Sequence, residues 1–298
     1  MVRARVLWGL FFGIVILGAL YIFQIATGQV QGSLLNLMGV NSTAKLILGL
    51  ASTLLVLHSV WTLGFLQGLL FLSLGFSMGL SSEMLGVRFG TIFGGHYLYN
   101  PSIHPAVMGV PLVIPVVWAG FIYAGHCVVS SCQAWAKREN YTEKESFPKA
   151  AAPALGALAV VAIDLLMEPL QVNAGNWIWF DSGPYFHIPS GNFLGWFLVS
   201  FVCLWLFQTL KWHFPRHEAT LPADIHLIPV MGYGLLGLVL AAWALTKGPA
   251  LLALVGAVAM GPGVIINLYL FLGWQKWQGV VYGLNSPHAY DILGLLER

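Results

Sequence analysis

Residues 46–80 read LILGLASTLLVLHSVWTLGFLQGLLFLSLGFSMGL, thirty-five positions without an Asp, Glu, Lys or Arg. As one helix this run would be about 52 Å long, against a bilayer hydrocarbon core of about 30 Å. It is too long for a single crossing and reads as two, 44–60 and 62–82, although it holds no strong turn signal. Outward from it, further apolar runs of spanning length lie at 4–24, 109–134, 150–169, 193–210, 225–246 and 249–272. The expected fold class is all-α: a polytopic integral membrane helix bundle of eight transmembrane helices, or seven if 46–80 crosses once. With no internal repeat or low-complexity tract, residues 1–298 read as a single transmembrane domain.

Composition supports this. Only 8% of residues are Asp, Glu, Lys or Arg, against about 25% in soluble domains. The mean hydropathy is +0.80. So few charges cannot cover a soluble surface, whereas a lipid-facing surface needs none. The apolar runs are continuous rather than alternating, which disfavours a β-barrel. The segment Met1–Phe23 has the charge order of a signal peptide, but its apolar run exceeds an h-region, so it reads as a retained first helix. Cys127, Cys132 and Cys203 lie in or near apolar segments without a metal or haem spacing and read as packing residues.

The basic residues form no stripe, which excludes a nucleic-acid surface. With a cytoplasmic N-terminus, inside segments carry Arg3, Arg5, Lys137, Arg138, Lys144, Lys149, Lys211, Arg216, Lys276 and Arg298, and outside segments only Lys45, Arg88 and Lys247. Ten against three obeys the positive-inside rule, and the expected setting is a prokaryotic cytoplasmic membrane. Segments 83–108 and 170–192 then share the non-cytoplasmic face. Both are rich in Gly, Pro, Tyr, Trp, His and Asn, and long loops of that kind re-enter the protein or line a cavity. Residues 134–148, AWAKRENYTEKESFP, read as a plain solvated loop.

Three of the eleven acidic residues, Glu83, Asp164 and Glu168, fall at helix ends expected to be buried. Ionisable groups at membrane depth are expensive and mark function. Asp164 and Glu168 are spaced i, i+4 on one helix face, and Pro169 marks a helix end or kink. Two carboxyl groups that close do not both ionise easily, so one should hold a proton, which suits general-acid chemistry. The alternative is a structural pair bonded to a neighbouring helix. Arg88, five residues after Glu83, reads either as its neutralising partner or as a substrate-binding residue. Gly86, Gly90, Gly94 and Gly95 recur near every fourth position and allow close helix approach. Trp177, Trp179, Tyr185 and Trp196 suit an interfacial belt or a pocket for an apolar, polarisable ligand whose developing cation meets aromatic faces.

Other chemistries fit less well. His213 and His217 are four apart in a charged loop and read as solvated. His58 and His126 read as helical histidines bonded to neighbours rather than haem ligands. Lys45, Lys247 and Lys276 map to helix ends or loops, not to a mid-helix retinal site. No G-x-S-x-G motif is present.

Two blocks of residues resemble the carotenoid biosynthesis membrane-protein family, which includes carotenoid 1,2-hydratases of the bacterioruberin and monocyclic-carotenoid type. The first is Glu83-x-x-Gly86, Phe93-Gly94-Gly95-His96-Tyr97-Leu98-Tyr99 and Gly109-Val110-Pro111-Leu112-x-Ile114-Pro115-x-x-Trp118. The second is Asp164-x-x-x-Glu168-Pro169, Trp177-x-Trp179, Gly183-x-Tyr185-Phe186-x-Ile188-Pro189 and Asn192-Phe193-x-Gly195-Trp196. The resemblance covers about residues 45–275. The chain departs from the pattern at Glu168, where Asp is usual, at Ile163, where an aromatic is common, and at Gly95-His96.

The resemblance implies a cofactor-independent hydratase that adds water across the terminal 1,2 double bond of an acyclic carotenoid end group. Asp164 or Glu168 would donate the proton, with Glu83 as partner or water-positioner. Tyr97, Tyr99, Trp177, Trp179, Tyr185 and Trp196 would line the end-group pocket, and Asn192 would hold the water. The expected partners are a lipid-soluble carotenoid and the bilayer, with a homo-oligomer or a larger membrane complex as further associations. The competing readings are a non-catalytic carotenoid- or quinone-binding subunit and, behind it, a proton-coupled transporter.

Overall fold

The computed structural model describes residues 2–29, 42–136, 150–215 and 221–284. Among them run eight long helices: α1 (Val2–Ala26), α2 (Ser42–Leu63), α3 (Phe65–Phe89), α4 (Val113–Ala136), α5 (Ala151–Asn173), α6 (Ser190–Leu210), α7 (Leu227–Lys247) and α8 (Leu251–Leu284). Each contains a segment long and apolar enough to cross a membrane. The solvated loop expected at 134–148 lies, past Ala136, outside the described residues, as does His217.

The long apolar run divides at one residue. Gly64 takes φ +91°, which only glycine adopts freely, and α3 starts at Phe65. The two helices then meet closely, since a Cβ on Gly68 would lie 2.9 Å from the Val60 Cα. This settles the count at eight candidate spans rather than seven.

Helices α4 and α5 form the middle of the bundle. Half or more of their spans is buried, 50% and 56%, against 22% for α1 and 11% for α2. Small residues bring the backbones together: a Cβ on Gly79 of α3 would sit 2.5 Å from the Trp118 Cβ of α4, and one on Gly125 of α4 would sit 2.5 Å from the Gly156 carbonyl of α5. Such small-residue contacts are the usual means of close helix packing in membranes. Cys127 and Cys203 join the buried core, and all three cysteines are free thiols.

Several boundaries differ from the sequence expectation. Helix α3 runs on to Phe89, so Glu83 lies inside a helix rather than at a loop's start. Gly90, left-handed at φ +65°, closes it. Helix α4 begins at Val113, because residues before it form a small hairpin of β2 (Ala106–Val107) and β3 (Val110–Pro111), following β1 (Tyr97–Tyr99). Helix α5 does not end at Pro169 but continues through it to Asn173. The two connections contract to 90–112 and 174–189, and they meet at one end of the bundle: β1 pairs antiparallel with β4 (Trp177–Trp179). The spaced glycines serve this loop as well as helix contact. Gly86 leaves room for Tyr97 and Phe93, and Gly94, at φ +71°, comes so near α6 that a Cβ would lie 2.6 Å from the Gly191 Cα.

Candidate functional site

The β1–β4 ribbon sets the site. Its register pairs Tyr97 with Trp179, Leu98 with Ile178 and Tyr99 with Trp177. Side chains alternate across a strand, so the two tyrosines and two tryptophans share the inward face. Leu98 and Ile178 take the other face and are exposed. Aromatic pairs knit the inner face, with ring centroids 4.7 Å apart for Tyr97–Trp179 and 5.6 Å for Tyr99–Trp177. At the ribbon's edge the His96 backbone N–H donates to Asp181 Oδ2 at 2.7 Å.

Each inward residue donates to a buried carboxyl group. The Tyr97 and Tyr99 hydroxyls donate to Glu83 Oε2 at 2.6 and 2.7 Å, and Trp118 Nε1 of α4 donates to Glu83 Oε1 at 2.8 Å. Trp177 and Trp179 both donate through Nε1 to Glu168 Oε1 at 2.7 Å, leaving Oε2 unclaimed by either indole. Burial, then the adjacent Glu83 carboxylate, push both tyrosine hydroxyls well above their ordinary range, so they stay neutral donors.

Asp164 sits differently. Asn192 Nδ2, near the start of α6, donates to its Oδ2 at 2.6 Å, while Oδ1 is buried without a hydrogen-bond partner. Glu83, Asp164 and Glu168 are all under 5% exposed, at 4%, 0% and 3%, yet only Glu83 and Glu168 line the cavity between the ribbon and helices α3 to α6. Asn192 lines that cavity and covers Asp164 from it. The helical i, i+4 spacing thus places both acids on one face without giving both the same access.

The cavity holds about 40 Å³ and is walled also by Tyr97, Tyr99, Trp177, Trp179 and Trp196. Trp196 stacks on Trp118 at 3.8 Å between centroids, 14° from parallel. Since one water needs about 10–15 Å³ of such space, the cavity suits about three waters and is too small for a whole isoprenoid end group.

Two residues named from the sequence stand apart. Tyr185 donates to the Leu165 carbonyl at 2.8 Å. That carbonyl lies four residues before Pro169, which has no N–H to give it. Tyr185 therefore fills the gap the proline leaves in α5 and pins the second loop to the helix; burial pushes its own hydroxyl up to about 12. Arg88 is exposed, its guanidinium 5.4 Å from the ring centroid of Phe89. It does not pair with Glu83, whose hydrogen-bond donors are neutral; His96 Nδ1 lies 3.7 Å from Asp181 Oδ2 at the ribbon's edge. His58 behaves as a packed histidine, with Nδ1 on the Tyr123 hydroxyl and Nε2 on the Ile225 carbonyl.

Sequence reasoning assigned no part to two residues that matter here. Trp118 is the third donor to Glu83. Gln171 is fully buried and lines the cavity; Asn176 donates to its Oε1, and its Nε2 has no partner. Its signal was spacing, three residues after Glu168 and so on the same face of α5.

Compared with known proteins, residues 43–260 match the family described as carotenoid biosynthesis protein. No curated protein and no solved structure matches the chain.

Proposed function

Because this chain belongs to the carotenoid biosynthesis protein family, and so has its role in that synthesis, we propose that the carboxyl cluster hydrates the terminal 1,2 double bond of an acyclic carotenoid. The observation that carries this reading is the convergence of Glu83 and Glu168, from two helices, on one water-sized cavity walled by aromatic rings. Hydrating an isolated alkene needs an acid, a water and a surface that tolerates a carbocation.

Glu168 is the proton donor in this reading, because it faces the cavity and one of its oxygens is free of the indoles. The proton adds to the alkene CH carbon and leaves a tertiary cation on the neighbouring carbon. Trp196 and the ribbon aromatics present π faces to that cation, and Glu83, fixed by three donors, supplies a preorganised counter-charge. Water attacks the cation to form the C–O bond. The proton it sheds returns to the carboxyl pair, so the net change is addition of one water. Asp164, one turn behind Glu168 and outside the cavity, acts as its proton reservoir, and Asn192 positions Asp164. Gln171 Nε2 is a spare donor for the attacking water.

The test is expression in a lycopene-accumulating host with analysis of pigments. A product heavier by one or two waters is expected. Glu168→Gln should abolish it, and Asp164→Asn should lower it at least tenfold, both with normal amounts of folded protein. Unchanged lycopene beside folded wild-type protein sinks the hydration of this substrate, and full activity in both variants sinks the acid assignment.

A further inference from the structure

A second, larger cavity of about 310 Å³ lies between α1, α2, α4 and α7. Resting on the hydration reading for the nature of its ligand, we propose that this chamber binds the extended hydrocarbon chain of the carotenoid whose end group reacts at the carboxyl cavity.

The chamber is lined along α1 from Phe11 to Ile25, along α2 from Ala44 to His58 and along α7 from Ile228 to Trp243. At the helical rise this is about 21 Å of length, whereas a sphere of the same volume would be only about 8 Å across. A long, narrow space takes a chain and not a compact cofactor. The lining is almost wholly apolar, and its principal polar groups are committed within the protein. His58 Nδ1 and the Tyr123 hydroxyl meet at 2.7 Å, His58 Nε2 meets the Ile225 carbonyl at 3.1 Å, and the Tyr233 hydroxyl donates to the Ala159 carbonyl at 3.0 Å. They offer little to recognise a polar ligand, so the lining suits a hydrocarbon.

Val117 of α4 lines both cavities. One turn on, Phe121 lines the chamber and lies 6.3 Å, ring to ring, from Trp196 of the carboxyl cavity. A chain held in the chamber therefore ends against the wall of the reactive site. Helix α1, which supplies one side of the chamber, lies outside the matched residues 43–260.

Glycines give the test its tools. Gly18 and Gly232 line the chamber, and a Cβ on either meets nothing within 4 Å. A large side chain there fills the space without striking protein, and replacing glycine within a helix removes a propensity penalty. Gly49, on the exposed side of α2, also meets nothing within 4 Å and serves as the lipid-facing control.

The full chain is purified from a lycopene-producing host, and pigment per protein is read by absorption. Hydration of the terminal double bond leaves the conjugated chromophore intact, so substrate and product both count. Wild type and Gly49→Phe should retain about one pigment per chain; Gly18→Phe and Gly232→Phe should retain at least tenfold less. The graded variants Gly18→Leu and Gly232→Leu, checked for wild-type thermal unfolding, should retain intermediate amounts and so separate filling from misfolding. Absence of pigment from wild type overturns the proposal. So does unaltered retention in the folded chamber variants, or recovery of phospholipid acyl chains in place of pigment. Pigment retained without conversion would remove the hydratase reading and leave the chamber standing. Conversion with unchanged retention and KM in the chamber variants would do the reverse.

Discussion

Glu83→Leu is the sharpest perturbation of the site. It removes the one acceptor shared by Tyr97, Tyr99 and Trp118. Trp118 is fully buried and Tyr97 only 4% exposed, so bulk water does not replace it, and only water of the adjoining cavity offsets part of the loss. Each orphaned donor costs about 1–3 kcal/mol, or about 3–9 kcal/mol for the three. That approaches the whole stability of a typical domain, about 5–15 kcal/mol, and the ribbon should detach before the bundle melts. The same arithmetic predicts a rescue. Adding Tyr97→Phe and Tyr99→Phe to Glu83→Leu removes two of the three orphans, and exchanging both partners of a buried hydrogen bond for apolar groups is close to neutral. The triple variant should therefore lose only about 1–3 kcal/mol, although it carries more substitutions. Thermal unfolding in detergent, followed by tryptophan fluorescence, and proteolysis of the 90–112 and 174–189 connections report on bundle and ribbon separately. A Glu83→Leu protein as stable as wild type, or a triple variant less stable than the single one, would refute the reasoning.

The link between Pro169 and Tyr185 predicts a coupled pair. Tyr185→Phe should cost about 1–3 kcal/mol by orphaning the Leu165 carbonyl, but much less in a Pro169→Ala background, where a restored N–H serves that carbonyl; additive effects in a double-mutant cycle of unfolding would contradict this. Gly94→Ala combines a left-handed backbone with a Cβ only 2.6 Å from the Gly191 Cα, and should expose the 90–112 connection to protease while leaving the helices folded by circular dichroism. Arg88→Ala, at an exposed residue without an acidic partner among the described residues, should leave melting within about 0.5 kcal/mol of wild type and pigment conversion unchanged; a large loss of product would restore Arg88 to the site.

The eight spans were legible because hydropathy over twenty residues is a coarse signal that bilayer thickness fixes. The division of 46–80 into α2 and α3 followed from its length, but the residue that makes it did not, since Gly64 is one glycine among several in that run and only its φ of +91° distinguishes it. Pro169 was read as a helix end or kink because its missing N–H normally costs a bond. A hydroxyl sixteen residues later, on Tyr185, meets that cost, a long-range compensation that no local pattern announces. The ribbon is three residues per strand, too short for a periodicity argument, yet Tyr97-x-Tyr99 and Trp177-x-Trp179 each show the two-residue spacing that puts both rings on one face. The acids themselves stood out by rarity. Their division of labour did not, because Asp164 is hidden by Asn192 from another helix and the role of Trp118 depends on how α4 crosses α3.

In this mechanism solvent supplies both parts of the added group through the carboxyl cluster. Membranes containing the wild-type chain and lycopene should be incubated in deuterium oxide, and separately in oxygen-18-labelled water, and the product examined by mass spectrometry and NMR. One deuterium is expected on the carbon next to each new tertiary alcohol, and solvent oxygen in its hydroxyl, with Glu168→Gln giving neither. A hydroxylated product whose oxygen does not come from water, or one formed equally well by the folded Glu168→Gln protein, would contradict this mechanism.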